Sequence, residues 1–284
     1  MNPIQQFLTG HGHQLQLWVF VSLFILSWNI ENVAGIIFNY KKWKHAFTNG
    51  PFILTSVPGQ LLLGFAFIKT IEWTTQHQFG FLYYLPFSKT PLVLFIITFV
   101  FLDFGEYVYH VTMHKVKRLW MFHIVHHSDP VVDVSTTLRE HPGENIIRLS
   151  FTLFWVFISG AAFWILMLRQ IIQAFTTLFA HMNYRLPEKA DSIIGLVFIT
   201  PNLHQVHHHY KQPYTDSNYG DVLSIWDRLF GTYKKLPAGE LIFGVDTYMK
   251  KKEINSFISL AKLPFGKYRK ANNDHQPIQT DKEL

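Results

Sequence analysis

The chain has 284 residues, of which 49% are hydrophobic and only 15% charged, with 27 phenylalanines and a net charge of +6. Soluble domains carry about 25% charged residues, so this balance fits a polytopic membrane protein, and the positive charge fits basic membrane-flanking loops better than a nucleic-acid surface. The absence of cysteine excludes disulfides, thiolate zinc sites, cysteine-ligated iron–sulfur clusters and a cysteine nucleophile.

The first ten residues hold no Lys or Arg, so no cleavable signal peptide is expected. A membrane-spanning helix needs about 20 mostly apolar residues. The first predicted span covers residues 15–38, with Asn29, Glu31 and Asn32 as polar interruptions. The second covers 52–71 and the third 92–109. A polar, histidine-rich stretch follows over 110–144. The apolar region 146–180 is too long for one crossing. Gly160 and the pair Arg169-Gln170 predict that it folds as a hairpin of two helices. Residues 201–235 are expected to form a helical cap, and 266–284, polar and charged, a disordered tail.

Orientation follows from the basic residues. Lys41, Lys42 and Lys44, then Lys115, Lys117 and Arg118, then Lys250, Lys251 and Lys252 mark three cytoplasmic segments. The loop between spans two and three, with only Lys89, is expected to face outward. If 146–180 enters and returns, this parity places every histidine group on the cytoplasmic face.

Those groups are His110 and His114, then His123, His126 and His127, then His181, then His204, His207 and His208. A helix turns once in about 3.6 residues, so positions i, i+3 and i+4 share a face. Neutral imidazole offers one lone pair, which makes histidine the commonest transition-metal ligand. Nine imidazoles are too many for one ion but suit two, since neighbouring turns of one triplet can reach different ions. The competing reading, incidental polar residues at a membrane interface, would leave many imidazoles buried without partners.

Acidic and amide side chains nearby are candidates to orient these ligands from behind. Asp103 and Glu106 precede His110 by seven and four residues on its face. Asn183, Asn218, Tyr219 and Asp227 are further candidates. His141, in Arg139-Glu140-His141-Pro142, is a possible additional ligand or second-layer partner, or simply the start of a helix at Pro142. His141-Pro142-Gly143 also matches the haem turn of cytochrome b5, but no surrounding soluble module exists to support that. His209 falls off the shared face, and His11, His13, His45, His77 and His275 are scattered.

Residues 90–235 resemble the fatty acid hydroxylase/sterol desaturase superfamily of integral-membrane enzymes. The resemblance rests on Asp103-Phe104, His110-x-x-x-His114, Leu119-Trp120, His123-Ile124-Val125-His126-His127-Ser128 and residues 135–139. It continues through His181-Met182-Asn183, residues 200–208, Asn218-Tyr219-Gly220 and residues 226–232. It implies a di-iron centre on the nine histidines, O2 as oxidant and a lipid, sterol or fatty-acyl substrate hydroxylated or desaturated at an unactivated C–H bond. Two positions depart from the pattern. Val111 stands where the family often has Arg, and Thr177 stands where some fatty acid hydroxylases carry one more histidine. The second departure argues against the fatty acid 2-hydroxylase branch.

The expected architecture is therefore all-α. N-terminal transmembrane helices occupy 1–90, a hydroxylase-like di-metal catalytic domain 91–235, and a C-terminal cytoplasmic tail 236–284. Four to five transmembrane or re-entrant helices would carry the cytoplasmic cap, in a bacterial inner membrane or the ER. No flavin or nicotinamide fingerprint is present, so an external donor of the cytochrome b5 or ferredoxin type is expected. Zinc is a possible adventitious occupant, because imidazole sites bind it readily. The alternatives are a zinc-dependent membrane hydrolase, which lacks a His-Glu-x-x-His motif here, and a non-enzymatic metal-binding membrane protein, which would favour ligands at the bilayer midplane.

Overall fold

A computed structural model of the chain describes residues 2–86, 90–248 and 250–271. Lys89 and the segment beyond 271 lie outside the described residues. Regular structure among those described is helical, with only the isolated bridges Phe198–Leu223 and His209–Phe243. Proline, whose fixed φ suits the first helical position, opens α1 (Pro3–Ala34), α3 (Pro51–Gln76), α4 (Pro91–Lys115), α6 (Pro142–Ser159) and α9 (Pro201–His207). The short α2 (Lys42–Asn49) lies between α1 and α3, α5 (Lys117–His127) follows α4, α7 (Phe163–Ala180) follows α6, and the short α8 (Glu188–Ile194) and α10 (Ile225–Leu229) flank α9 in the chain.

Among the described residues, four segments are long and apolar enough to cross a membrane: Pro3–Ala34, Lys42–Tyr84, Pro91–Lys115 and Phe163–Ala180. α1 leaves Leu17, Trp18, Ile25 and Leu26 exposed, and α3 leaves Leu54, Leu61, Leu62 and Phe65 exposed. Such faces are costly in water and favourable in lipid. The chain is a polytopic membrane protein.

The 146–180 region is the expected pair of helices, and the break falls at Gly160. Its φ of +71° is left-handed, and a Cβ there would lie 2.4 Å from the Phe79 carbonyl oxygen. Arg169 and Gln170 do not mark the turn. They lie inside α7, where buried Arg169 pairs with Glu106 of α4 at 3.5 Å. Ile71, Leu102, Val156, Ala161, Leu166 and Met167 pack α3, α4, α6 and α7 into one apolar core.

Glu31 is not a mere interruption of α1. Its Oε1 accepts the backbone N–H groups of Val134 and Asn183 at 2.7 and 2.8 Å, and its Oε2 pairs with Lys42 at 2.9 Å. His45 also has a structural place, between Asp129 at 2.7 Å and Asp133 at 3.0 Å. These contacts pin the 128–138 loop beneath α1 and α2.

The segment after 236 is more than a tail. α11 (Lys251–Ile254) and α12 (Phe257–Lys262) place Ile254 and Leu260 in a core with Phe52, Met121, Ile124 and Val125. Residues 266–271, expected to be disordered, are tied back by Tyr248 donating to the Lys267 carbonyl at 2.8 Å and by Arg269 pairing with Glu253 at 2.6 Å. α5 is thereby clamped from both sides.

Candidate metal centre

The histidines come from helix ends. His110 and His114 occupy the last turns of α4. Val116, in an extended conformation, breaks the helix, so α5 turns back and presents His123, His126 and His127 to them. His181 is the C-cap of α7. Thr200 caps α9 by accepting the Leu203 N–H, and this short helix carries His204 and His207, with His208 at its end.

All nine meet in two adjoining groups. His110, His114, His123, His127 and His207 form the first; His126, His181, His204 and His208 form the second. Within each group the nitrogens nearest one another lie within 4.8 Å. Each triplet divides: α5 sends His123 and His127 to one group and His126 to the other, while α9 sends His207 to the first and His204 with His208 to the second. The groups touch where the His127 and His208 rings stack, 4.6 Å between centroids.

The ring nitrogens show that the cluster fits cations. His110 donates Nδ1–H to the Tyr219 carbonyl at 2.8 Å, His181 to the Thr177 carbonyl at 2.8 Å, and His207 to the Ser217 carbonyl at 2.6 Å. His123 Nδ1 lies 2.5 Å from Glu144 Oε1, and His114 Nδ1 lies 3.3 Å from Asp216 Oδ1. A ring that donates through Nδ1 while neutral presents only a lone pair at Nε2. Yet His110 Nε2 and His123 Nε2 are 3.1 Å apart, and the buried Nε2 atoms of His114 and His207 have no hydrogen-bond partner. Opposed lone pairs repel, and a cation between them removes the repulsion. In the second group, His181 Nε2 lies 3.0 Å from His126 Nε2 and 2.9 Å from His204 Nε2.

Burial keeps these rings neutral. It holds His123 at about 3, with Arg148 adding repulsion, and His181 at about 4. His126, His127, His204, His207 and His208 sit well below the usual range, through burial and then mutual repulsion. Every lone pair needed for coordination is therefore available at neutral pH.

The supporting residues are mostly not those expected. Asp103 spends its oxygens on Val222 N–H, Leu223 N–H and Trp226 Nε1–H at 3.1, 3.3 and 2.8 Å, holding the chain just after Tyr219. Glu106 accepts from Thr152 at 2.9 Å as well as pairing with Arg169. Asn183 ties the end of α1 through Ile36, Ile37 and the Ile37 carbonyl. His141 caps α6 by accepting the Gly143 N–H at 2.9 Å and points Nε2 at the Ala261 carbonyl, outside both groups. Asp227 acts at one remove, accepting the Tyr219 and Gly220 N–H groups at 2.7 and 2.9 Å behind the carbonyl that orients His110. Asn218 links the Leu203 and Lys234 carbonyls. Glu144 and Asp216, which do reach imidazoles, carry no sequence signal, because their partners lie 21 and 102 positions away.

Residues 95–232 match the fatty acid hydroxylase family model, and they contain all nine histidines. This part of the chain is similar to the fatty acid hydroxylase family. An ornithine lipid hydroxylase from Rhizobium tropici is 29% identical over 168 residues, 59% of this chain and 49% of that protein. Alkylglycerol monooxygenase from Danio rerio is 32% identical, over 52% of this chain and 32% of that protein. The human alkylglycerol monooxygenase is 30% identical, over 48% and 29% respectively. The matched stretch thus spans about half of the first relative and about a third of the others. No solved structure matches the chain significantly.

The Thr177 carbonyl orients His181, and the residue itself lines the cleft beside the imidazoles.

Proposed function

We propose that the chain is an O2-dependent membrane lipid hydroxylase whose two histidine groups each hold one iron ion. The observation that carries this reading is the pair of adjoining imidazole clusters with opposed inward lone pairs, buried at the ends of membrane-spanning helices. The matched relatives, named as lipid hydroxylase and alkylglycerol monooxygenase, support hydroxylation over desaturation. His110, His114, His123, His127 and His207 would hold one ion, and His126, His181, His204 and His208 the other.

When bound, the iron pair supplies O2 binding and activation. The overall change is R–H + O2 + 2 e⁻ + 2 H⁺ → R–OH + H2O. The chain's own residues hold the rings in one tautomer through Tyr219, Ser217, Thr177, Glu144 and Asp216, and keep them neutral by burial. A small cleft opens onto both groups, touching His110, His123, His126, His181 and His204, and offers the place for the reacting carbon.

The two electrons come from an external donor, a cytochrome b5- or ferredoxin-like protein. Lys115, Lys117 and Arg118 are exposed at the α4–α5 corner, immediately beside His114, and suit an acidic partner. Basic segments on this side support a centre at the cytoplasmic face, in a bacterial inner membrane or the ER.

The test is O2 consumption and ¹⁸O incorporation into extracted membrane lipid by iron-loaded protein supplied with a chemical reductant. The reading expects labelled hydroxylated lipid and its loss in His126→Ala. O2 uptake unchanged in that variant, or no labelled lipid from the wild type, overturns it.

A further inference from the structure

The first histidine group carries an aromatic contact that coordination does not require. The Trp120 ring, half-buried on α5, lies against three of the group's five imidazoles. Its centroid is 4.8 Å from that of His114, 5.3 Å from His127 and 6.1 Å from His123. Trp120 also lines a second cleft, whose wall includes His114. This cleft shares no lining residue with the one that opens onto both groups. The first cleft is bounded by α4, α6 and α7. The second lies between Trp120, the loop after α9 and the C-terminal segment that carries Tyr268 and Arg269.

The mouth of the second cleft is basic. α5 exposes Lys117 and Arg118, and the C-terminal segment exposes Lys267, Arg269 and Lys270. Lys117 Nζ lies 5.7 Å from the centre of the Tyr268 ring, which joins the two segments into one surface. The acids here are already engaged or enclosed. Asp216 accepts from Lys115 at 2.8 Å, Glu253 pairs with Arg269 at 2.6 Å, and Asp246 is buried in the wall. The exposed surplus is positive, and such a surface draws acidic proteins by long-range attraction. Transient redox encounters bury little area, under about 1,200 Å², so a charged rim of this kind serves without an apolar patch.

We propose, resting on the hydroxylase reading above, that this surface docks an acidic one-electron donor protein and that Trp120 relays the electron to the first histidine group. Electron tunnelling weakens steeply with every gap crossed, and a ring packed on three ligands closes the last gap. Each turnover takes two such transfers. Two donor molecules each lose one electron, and R–H + O2 + 2 e⁻ + 2 H⁺ → R–OH + H2O closes the balance. No bond forms or breaks at Trp120. Electrons and lipid then reach the centre through different clefts, so donor and substrate do not compete for one opening.

The test reads electron arrival without turnover. Iron-loaded, oxidised protein in nanodiscs of neutral lipid is mixed anaerobically with a reduced donor, and the donor's own absorbance is followed. The probes are the soluble haem domain of a cytochrome b5 and a plant-type ferredoxin. Each rate is divided by that of the same preparation with dithionite, which corrects for lost iron or fold. Trp120→Leu should lower the normalised rate at saturating donor severalfold or more, with donor affinity retained. Trp120→Phe, which restores a ring, should recover part of the loss. Lys117→Glu combined with Lys267→Glu should do the converse, weakening donor affinity about tenfold while sparing the rate at saturation. A normalised rate unchanged in Trp120→Leu overturns the relay. Affinity unchanged in the double variant overturns the docking surface and leaves those cations to anionic headgroups. Oxidation of neither probe by wild-type protein that dithionite does reduce overturns both. Failure of the hydroxylase reading shows separately, as no labelled lipid from wild type supplied with a chemical reductant.

Discussion

His110 and His123 face each other through Nε2 atoms 3.1 Å apart, while their Nδ1 atoms are engaged outward by the Tyr219 carbonyl and Glu144. Two acceptors at that distance repel, and a cation between them removes the repulsion. The tautomers are thus set by residues that never reach the metal, and each of those residues becomes a lever on metal affinity.

Glu144 is the most direct lever. Glu144→Gln keeps the size of the side chain and removes the charge behind His123. Loss of such outer partners typically lowers metal affinity about 10- to 100-fold. Competition against a chelator of known affinity should show that loss in the first histidine group. Unchanged affinity would mean that Glu144 does not orient His123.

Acid should destabilise the metal-free protein. His123 and His181 titrate at about 3 and about 4 in the folded chain, through burial, against about 6.5 when unfolded. The unfolded chain therefore binds more protons between those values. The contribution is fully present above about pH 6.5 and is lost as pH falls toward 4. Thermal unfolding of the metal-free protein in detergent should show a falling Tm from pH 7 to pH 5. A Tm that is flat or rises over that interval contradicts neutral buried imidazoles.

Gly160→Ala tests the α6–α7 turn. The left-handed φ of +71° and the Phe79 carbonyl at 2.4 Å from the added Cβ both oppose it. A cost of about 1–3 kcal/mol is expected from backbone strain alone, read as a lower midpoint of unfolding. No shift would show that the turn tolerates a side chain.

Glu31→Leu should be more damaging than an ordinary lipid-facing substitution. It orphans the Val134 and Asn183 N–H groups and leaves Lys42 without its carboxylate. Roughly 3 kcal/mol or more is expected for such a buried set, whereas Glu31→Gln, which keeps an acceptor oxygen, should recover part of it. Equal behaviour of the two variants would argue against the hydrogen-bond account.

Much of this fold is written locally. Long apolar runs, proline at helix starts and the i, i+3, i+4 histidine spacing sufficed to read the spans, the hairpin and the nine converging imidazoles. What is not local was not legible. Asp103 sits on the histidine face of α4, yet it bonds Val222, Leu223 and Trp226, because its position along the helix says nothing of which loop folds over it. Glu144 was hidden for the converse reason, as it reaches His123 only after α5 and α6 have packed. Glu31 and His45 read as isolated polar residues because, Lys42 apart, the partners described above arrive from 84 to 152 positions later. The C-terminal helices were obscured by their lysines, which lie on the solvent side of a face that buries Ile254 and Leu260.

The central claim is that two separate groups hold two ions, and iron counting tests it most directly. Protein reconstituted anaerobically with ferrous iron and freed of excess would be assayed as wild type, His207→Ala and His208→Ala. The account predicts about two irons per wild-type chain and about one in each variant, since each substitution removes a ligand from a different group. One iron per wild-type chain, lost entirely in both variants, would contradict it.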